Sequence, residues 1–380
     1  MLVAVDQYGQ AVSLANRPNE QLIHEVRSSR HFCPSCRQPV ILKAGAIKIP
    51  HFAHASSHAC EAFSEGESER HLKGKADMHN WIRRTHEVEM EAYLPEISQR
   101  PDLLVDGKVA MEYQCSHMSV DLFVNRTEGY KQNGLFPFWI YGGPPIKKRA
   151  QLYHFSVFHR LFFQYSPLFG FWFLSYCPDR ELFILYSQLI PVQSSLYFAS
   201  VQMIPLHSLP YPPSFAKTSG SFLTLSDWFR QKQHWLQKQL YFRQGLYHPF
   251  LSTVYKTGHN PFLLPPWVGV PIRFMALIKN HPVEWQFYLW NDLLVHKPKA
   301  ESKEAAAVLQ ERVRKGDLQL NMFPLFSFPT LLDLIEEYLL LFQSIGAMNE
   351  KESKTTLEQM EKERRFTEDF EELIMTRLIF

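Results

Sequence analysis

Arg100-Pro101-Asp102-Leu103-Leu104-Val105-Asp106-Gly107-Lys108-Val109-Ala110-Met111-Glu112-Tyr113-Gln114 is the stretch whose reading decides the fold. Apolar runs flank Asp106-Gly107, a dipeptide that tolerates the positive φ values of a tight turn, so the segment predicts two antiparallel strands. Side chains alternate along a strand, which puts Glu112 and Gln114 on one face. With Asp106-Gly107-Lys108 as the loop, Asp102 falls opposite Glu112 with Cβ atoms about 5 Å apart, close enough to share an ion. With Asp106-Gly107 alone as the loop, the register moves by one and the pairing is lost. Two carboxylates held this way suit Mg²⁺ or Mn²⁺, hard cations that can activate water and offset charge in phosphodiester hydrolysis.

Upstream, Ser64-Glu65-Gly66-Glu67 reads as a capping box opening a helix that runs to about Thr85. At about 100° per residue, Ser68, His71, Leu72, Lys75, Met78, His79 and Ile82 fall on one side. Glu69, Arg70, Lys73, Asp77, Asn80 and Arg84 fall on the other. His71 and Lys75 are therefore placed among apolar neighbours, where polar groups serve a site or a buried network. The alternative is a Lys75 stem lying along the core edge beside a half-buried His71. Residues 87–92 and 136–141 read as further strands, and 119–132 as a helix between the hairpin and the last strand.

Cys33-Pro34-Ser35-Cys36 precedes His51-Phe52-Ala53-His54 by fourteen residues. Two thiolates and two imidazoles suit tetrahedral Zn²⁺, with Cys33, Cys36, His51 and His54 as the ligand set and His31, His58 or Cys60 as substitutes. A short His-x-x-His spacing and the lack of a recognition helix argue against a DNA-reading finger. Such a closed site is structural, a staple for a small module. Unmetallated thiols beside incidental histidines are the alternative, since the chain carries 17 histidines.

The rest of the chain frames these two constellations. Residues 1–30 alternate apolar and polar about a turn at 7–10, a hairpin followed by helix or loop. A helix is expected over 153–163, with strands over 169–176, 182–189 and 197–205. Pro205, Pro210, Pro212 and Pro213 mark a boundary, beyond which 226–242, 283–294, 301–315, 330–343 and 350–379 read as helices. The expected division is 1–62, 63–215 and 216–380.

The 380 residues carry a formal net charge of +2 and are 46% hydrophobic. That composition supports a real core and leaves any nucleic-acid surface to a local basic patch. Lys147-Lys148-Arg149 is short enough to be a solvated loop, and Phe169-Gly170-Phe171-Trp172-Phe173 reads as buried strand. The first six residues lack a basic, then apolar, leader pattern. The longest apolar stretch, 262–278, is interrupted by Pro265, Pro266, Pro271 and Arg273, so it is expected as buried loop and helix with no integral membrane segment. Five cysteines with one tight pair suggest a metal clip in a reducing, cytoplasmic compartment.

The ordered set Cys-Pro-x-Cys, His-Phe-Ala-His, Ser-x-x-His-x-x-x-Lys, Arg-Pro-Asp and Glu-Tyr-Gln-x-Ser, then Arg126-Thr127-x-x-Tyr130 and Trp139-Ile140, resembles the CoiA-like competence proteins over residues 1–215. The resemblance implies an α+β protein with an N-terminal zinc-binding β module and a helical C-terminal region. Between them it implies a restriction-endonuclease-like α/β/α mixed-sheet core of the PD-(D/E)XK type. It further implies a role in natural transformation after DNA uptake, with single-stranded or branched DNA, RecA and the recombination machinery as partners at the cell pole. Carried over, Asp102 and Glu112 are the magnesium-binding acids, with Glu67 or Glu69 completing the site. Gln114 stands where the signature has Lys, and Lys75 could supply the missing charge from the preceding helix, with His71 beside it in the catalytic set. Arg126, Tyr130 and Ser116 fall at nucleic-acid-binding positions, where Arg126 and Tyr130 could instead buttress Gln114. Three functions stay open: a metal-dependent DNA nuclease; a non-catalytic DNA-binding accessory, kept open by Gln114; and a zinc-stapled scaffold acting through its helical region.

Overall fold

A computed structural model of the chain describes residues 1–15, 18–45, 48–54, 67–217, 223–241, 247–346 and 353–379. Its Cα framework divides into two compact units, one of residues 1–145, 173–185 and 201–216, the other of 146–172, 186–200 and 217–380. This cut differs from the sequence expectation, because residues 146–172 and 186–200 group with the helical C-terminal portion.

The first unit opens with a small antiparallel sheet of β1 (Val3–Val5), β2 (Ala11–Ser13), β3 (His31–Phe32), β4 (Pro39–Lys43) and β5 (His51–His54), ordered β2-β1-β3-β4-β5. The turn joining β1 to β2 is fastened by Asp6, whose carboxylate accepts the N–H groups of Tyr8 (2.8 Å) and Gln10 (2.9 Å). Helix α1 (Glu20–Ser28) is capped by Asn19, which accepts from Leu22 N (2.8 Å). Ala4, Leu14, Val26, Cys33, Val40 and Phe52 form its core. So few apolar residues make a marginal core, as expected of a module that needs a staple.

The same unit continues through α2 (Glu69–Ile82), β6 (Val88–Met90), β7 (Leu103–Val105), β8 (Val109–Gln114), α3 (Val120–Gln132) and β9 (Phe136–Tyr141). Strands β6, β7 and β8 pair antiparallel, and α3 crosses over so that β9 runs parallel to β8. Asp106 and Gly107 both take positive φ, and Lys108 N–H returns to the Val105 carbonyl (2.9 Å). Leu103 faces Met111 and Val105 faces Val109, which is the three-residue-loop register that aligns Asp102 with Glu112. Ser119 caps α3 as its sequence position suggests.

Two local readings of α2 are corrected. Its cap is Ser68, whose side chain accepts from His71 N (3.2 Å); Ser64 lies outside the described residues. The face assigned to solvent is also engaged: Arg70 Nε donates to the Gly142 carbonyl (2.6 Å), Lys73 Nζ to the Pro178 carbonyl (2.6 Å), and Tyr176 Oη to Asp77 (3.0 Å). The helix is clasped from two sides, which periodicity alone cannot distinguish from one. Gly74 and Gly142 both abut the ring of buried Tyr113, so neither has room for a side chain.

Long strands β13 (Gly170–Cys177), β14 (Leu182–Gln193) and β15 (Leu196–Pro205) have residues in both units, and β13 pairs parallel with β9 through Ser175 and Tyr141. The second unit adds β10 (Lys148–Arg149), β11 (Leu152–His154), α4 (Val157–Arg160) and β12 (Gln164–Ser166). The helix expected over 153–163 is thus a strand and one helical turn. Tyr153 is drawn into pairing with Tyr197 of β15, and the helix waits for Ser156 and His159 to form a capping box. The helical portion comprises α5 (Leu225–Tyr241), α6 (Pro249–Lys256), α7 (Pro282–Leu289), α8 (Ser302–Arg314), α9 (Leu331–Ser344) and α10 (Thr356–Ile379). Helix α6, with Pro249 in its first turn, was not expected, and α7 passes into a π-helical turn over Trp290–Leu294. Residues 262–278 are buried and mostly irregular, with a single 3₁₀ turn at Met275–Leu277. No helix among the described residues is long and apolar enough to cross a membrane.

Candidate active site and metal centre

The hairpin register and α2 bring Lys75, His71, Asp102, Glu112, Gln114 and Ser116 to one cleft of about 780 Å³, with Arg126 also on its lining. Asp102 is its anchor. One carboxylate oxygen accepts from Tyr113 N (2.9 Å) and meets His71 Nε2 at 3.2 Å, while the other lies 3.6 Å from Lys75 Nζ. Burial alone would raise its pKa, but the charges of His71 and Lys75 outweigh it and hold the group well below the usual carboxylate range.

Lys75 is 1% exposed, so the inward reading of its helix position holds. Its ammonium is paired with Glu67 and Glu91. Burial by itself would lower its pKa; the carboxylates of Glu67, Glu91 and Asp102 reverse that and keep the lysine charged. Burial opposes ionisation of Glu67 too, yet Lys75 brings it down to about 2. Its second oxygen takes the Met1 ammonium.

Glu112 behaves differently. It is 2% exposed, and burial pushes its pKa up to about 7 despite Arg126, with Asp102 adding to the rise. One oxygen receives both the Tyr130 hydroxyl and the Arg126 guanidinium. Arg126 also donates to the Arg100 carbonyl (3.2 Å) and to Tyr130 Oη (3.1 Å), and it lies over the Trp139 ring at 5.7 Å. Arg126 and Tyr130 therefore buttress Glu112, not Gln114. Tyr130 is fully buried, which corrects its assignment to a nucleic-acid surface. Gln114 turns its amide onto the Ser116 carbonyl (2.9 Å) and hydroxyl (3.2 Å).

Glu67, His71 and Asp102 each place a ligand atom within 4.8 Å of the others. Glu112, expected to share magnesium with Asp102, lies outside this group of three, with one oxygen engaged by Tyr130 and Arg126. Two anionic carboxylates and an imidazole fit a divalent cation. Of the alternative acids, Glu67 joins the group and Glu69 does not. Glu91 had no sequence signal, and Arg100 stood in the Arg-Pro-Asp motif with no role assigned to it. Glu91 sits just past β6 with φ 56°, outside any alternation pattern.

In the small module, Cys33, Cys36 and His54 cluster within 4.8 Å, with Cys36 Sγ 3.3 Å from His54 Nε2. Burial would raise the Cys33 pKa, but N–H groups of Cys36 and Ser35 and the charge of Arg100 bring it below its ordinary value. Amides aimed at a thiolate, with two sulfurs and one nitrogen converging, fit a Zn²⁺ knuckle. His51 stands outside this group, with Nδ1 on the Ile49 carbonyl (2.9 Å), and His31 packs on Phe52 at 5.3 Å. His58 and Cys60 lie outside the described residues.

Fold and site together define an α+β protein with a nuclease-like domain, a module carrying a Cys₂His group, and a helical C-terminal region. Comparison with known families agrees along the chain. Residues 14–63 match the family described as competence protein CoiA, N-terminal domain; 67–219 match its nuclease-like domain; 223–374 match its C-terminal domain. A curated relative named "Competence protein CoiA", from Bacillus subtilis (strain 168), is 33% identical over 294 residues, covering 76% of this chain and 78% of that protein. The chain belongs to the CoiA family. No solved structure matches it.

Proposed function

We propose that the chain serves competence by acting on incoming single-stranded or branched DNA as a metal-dependent nuclease, upstream of RecA-dependent recombination. The observation that carries this reading is the strongly anionic Asp102, grouped with Glu67 and His71 on an open cleft and faced by a charged lysine. A divalent cation bound there would polarise a phosphate oxygen and lower the pKa of water. In this reading Lys75 supplies the positive charge that Gln114 cannot, and Gln114 with Ser116 offers hydrogen bonds to a phosphate or water. Arg126 on the cleft lining adds a cation for the backbone. Zn²⁺ at Cys33, Cys36 and His54 is structural, and the division into module, nuclease-like domain and helical domain assigns DNA chemistry to the middle part. A cytoplasmic position near the uptake machinery follows from the same role.

The test is cleavage of labelled single-stranded, duplex and branched DNA with Mg²⁺ or Mn²⁺ by wild type and Asp102→Asn. Cutting by wild type and not by the variant is the expected result. Equal cutting by both overturns the site. A second reading, a DNA-binding accessory that does not cut, is favoured by Gln114 being turned onto Ser116. Binding of DNA by both proteins with cleavage by neither would establish it.

A further inference from the structure

Glu91 has no place in the chemistry above, yet it is the residue at which the two metal-ligand clusters meet. It is 3% exposed and adopts φ 56°, a conformation that is strained for a non-glycine residue and persists only where its surroundings impose it. Its carboxylate has two sets of partners. One oxygen accepts Leu2 N (2.9 Å), and the other accepts Val3 N (3.2 Å), so it grips the backbone that leads into β1. The oxygen that takes Leu2 also takes the Lys75 ammonium. Its own N–H donates to the Asp102 carbonyl (3.0 Å).

The other end of this path is the Cys₂His group. Phe52, two residues before His54, donates its N–H to the Met1 carbonyl (2.9 Å), and Val5 of β1 pairs with Phe32, the neighbour of Cys33. The segment that Glu91 grips is thus hydrogen-bonded to β5 through Met1 and to β3 through Val5, and both of those strands lead to metal ligands.

We propose that Glu91 is a positioning residue that couples the Cys33–Cys36–His54 group to the Asp102 site, so that metal loading of the small module sets the placement of Lys75. This rests on the reading of Lys75 and Asp102 as parts of a working site. A seated β1 holds Glu91, Glu91 shares Lys75 with Glu67, and Lys75 stands beside Asp102 without closing on it. When the module loses its metal, β1 loosens, Glu91 loses its backbone partners, and the ammonium is free to shift onto Asp102.

The test is hydrogen–deuterium exchange of the full chain, zinc-loaded and zinc-stripped, for wild type and Glu91→Gln. Gln keeps the shape and an acceptor oxygen but lacks the charge for Lys75. Stripping zinc from wild type is expected to speed exchange about tenfold at residues 69–76 and 100–105 as well as in the module. Glu91→Gln should bind zinc fully, reproduce the faster exchange at 69–76 and 100–105, and gain nothing more there on stripping. Changes confined to residues 1–54 on stripping wild type overturn the coupling, as does failure of the chain to take up zinc. Wild-type behaviour of Glu91→Gln reduces Glu91 to a structural acceptor. Should that variant fail to fold, the wild-type arm decides alone. DNA cleavage plays no part in the readout, so failure of the nuclease reading is scored separately.

Discussion

Lys75 Nζ lies 3.6 Å from Asp102 Oδ1, reaching the carboxylate from a helix, while Gln114 on the neighbouring strand bonds instead to Ser116. A positive charge thus stands beside Asp102 from α2, and none is offered by the neighbouring strand position.

Lys75→Met is the sharpest probe of that relationship. It leaves Glu67 and Glu91 buried without their cation, a loss of about 3–5 kcal/mol in stability by urea denaturation. Metal-dependent cleavage should disappear with it. A variant that remains as stable as wild type would contradict the buried carboxylate pairing.

The raised pKa of Glu112 gives a pH signature. Its carboxyl titrates near its ordinary value of 4.5 when unfolded and at about 7 when folded. Between those values the folded state binds more protons, so stability is greatest at the acidic end and falls as pH rises toward about 7. The size is on the order of 3 kcal/mol at most. Glu284, in the helical portion, is likewise pushed up to about 7 by burial and contributes in the same window. Comparing Glu112→Gln with wild type isolates the first: its stability profile from pH 4.5 to 7 should be flatter, while parallel profiles would place an ionised Glu112 in the fold.

Zinc content separates the two histidines of the His-x-x-His pair. Cys36→Ser and His54→Ala should lose bound zinc and lower the melting temperature. His51→Ala should retain the metal, because its imidazole is directed to the Ile49 carbonyl. Metal analysis of the purified variants decides, and zinc loss in His51→Ala would return that residue to the ligand set.

Gly74→Ala should destabilise the chain by about 2–4 kcal/mol, an overpacking cost against the Tyr113 ring. The same change at exposed Gly107 meets no atom within 4 Å and is disfavoured only through its positive φ, so it should cost about 1 kcal/mol. Equilibrium urea denaturation of both variants measures the difference.

Much of the site was legible because it rests on local chemistry. Asp106-Gly107 could only turn, and the alternation of β8 placed Glu112 and Gln114 together. The inward position of Lys75 followed from helical periodicity. The register needed the structure, since one residue of loop length decides whether Asp102 meets Glu112. The partners of Lys75 were hidden for a different reason. Glu67, which precedes the helix instead of lying on its wheel, was legible only as a possible metal-binding acid, and Glu91 bonds to a segment 88 or more residues away in sequence. The strand at 152–154 was misread as helix because its pairing with β15 is non-local and its aromatic residues fit either pattern.

The contact of Gly74 and Gly142 with Tyr113 has a consequence for the site's dimensions. Tyr113 lies between Glu112 and Gln114 in sequence, and Gly74 immediately precedes Lys75. The phenol ring is therefore a spacer gauge: its thickness sets how closely the helix that carries Lys75 approaches β8. Divergence within the cleft can proceed one side chain at a time, but any change in that gap requires the ring and both glycines to change together.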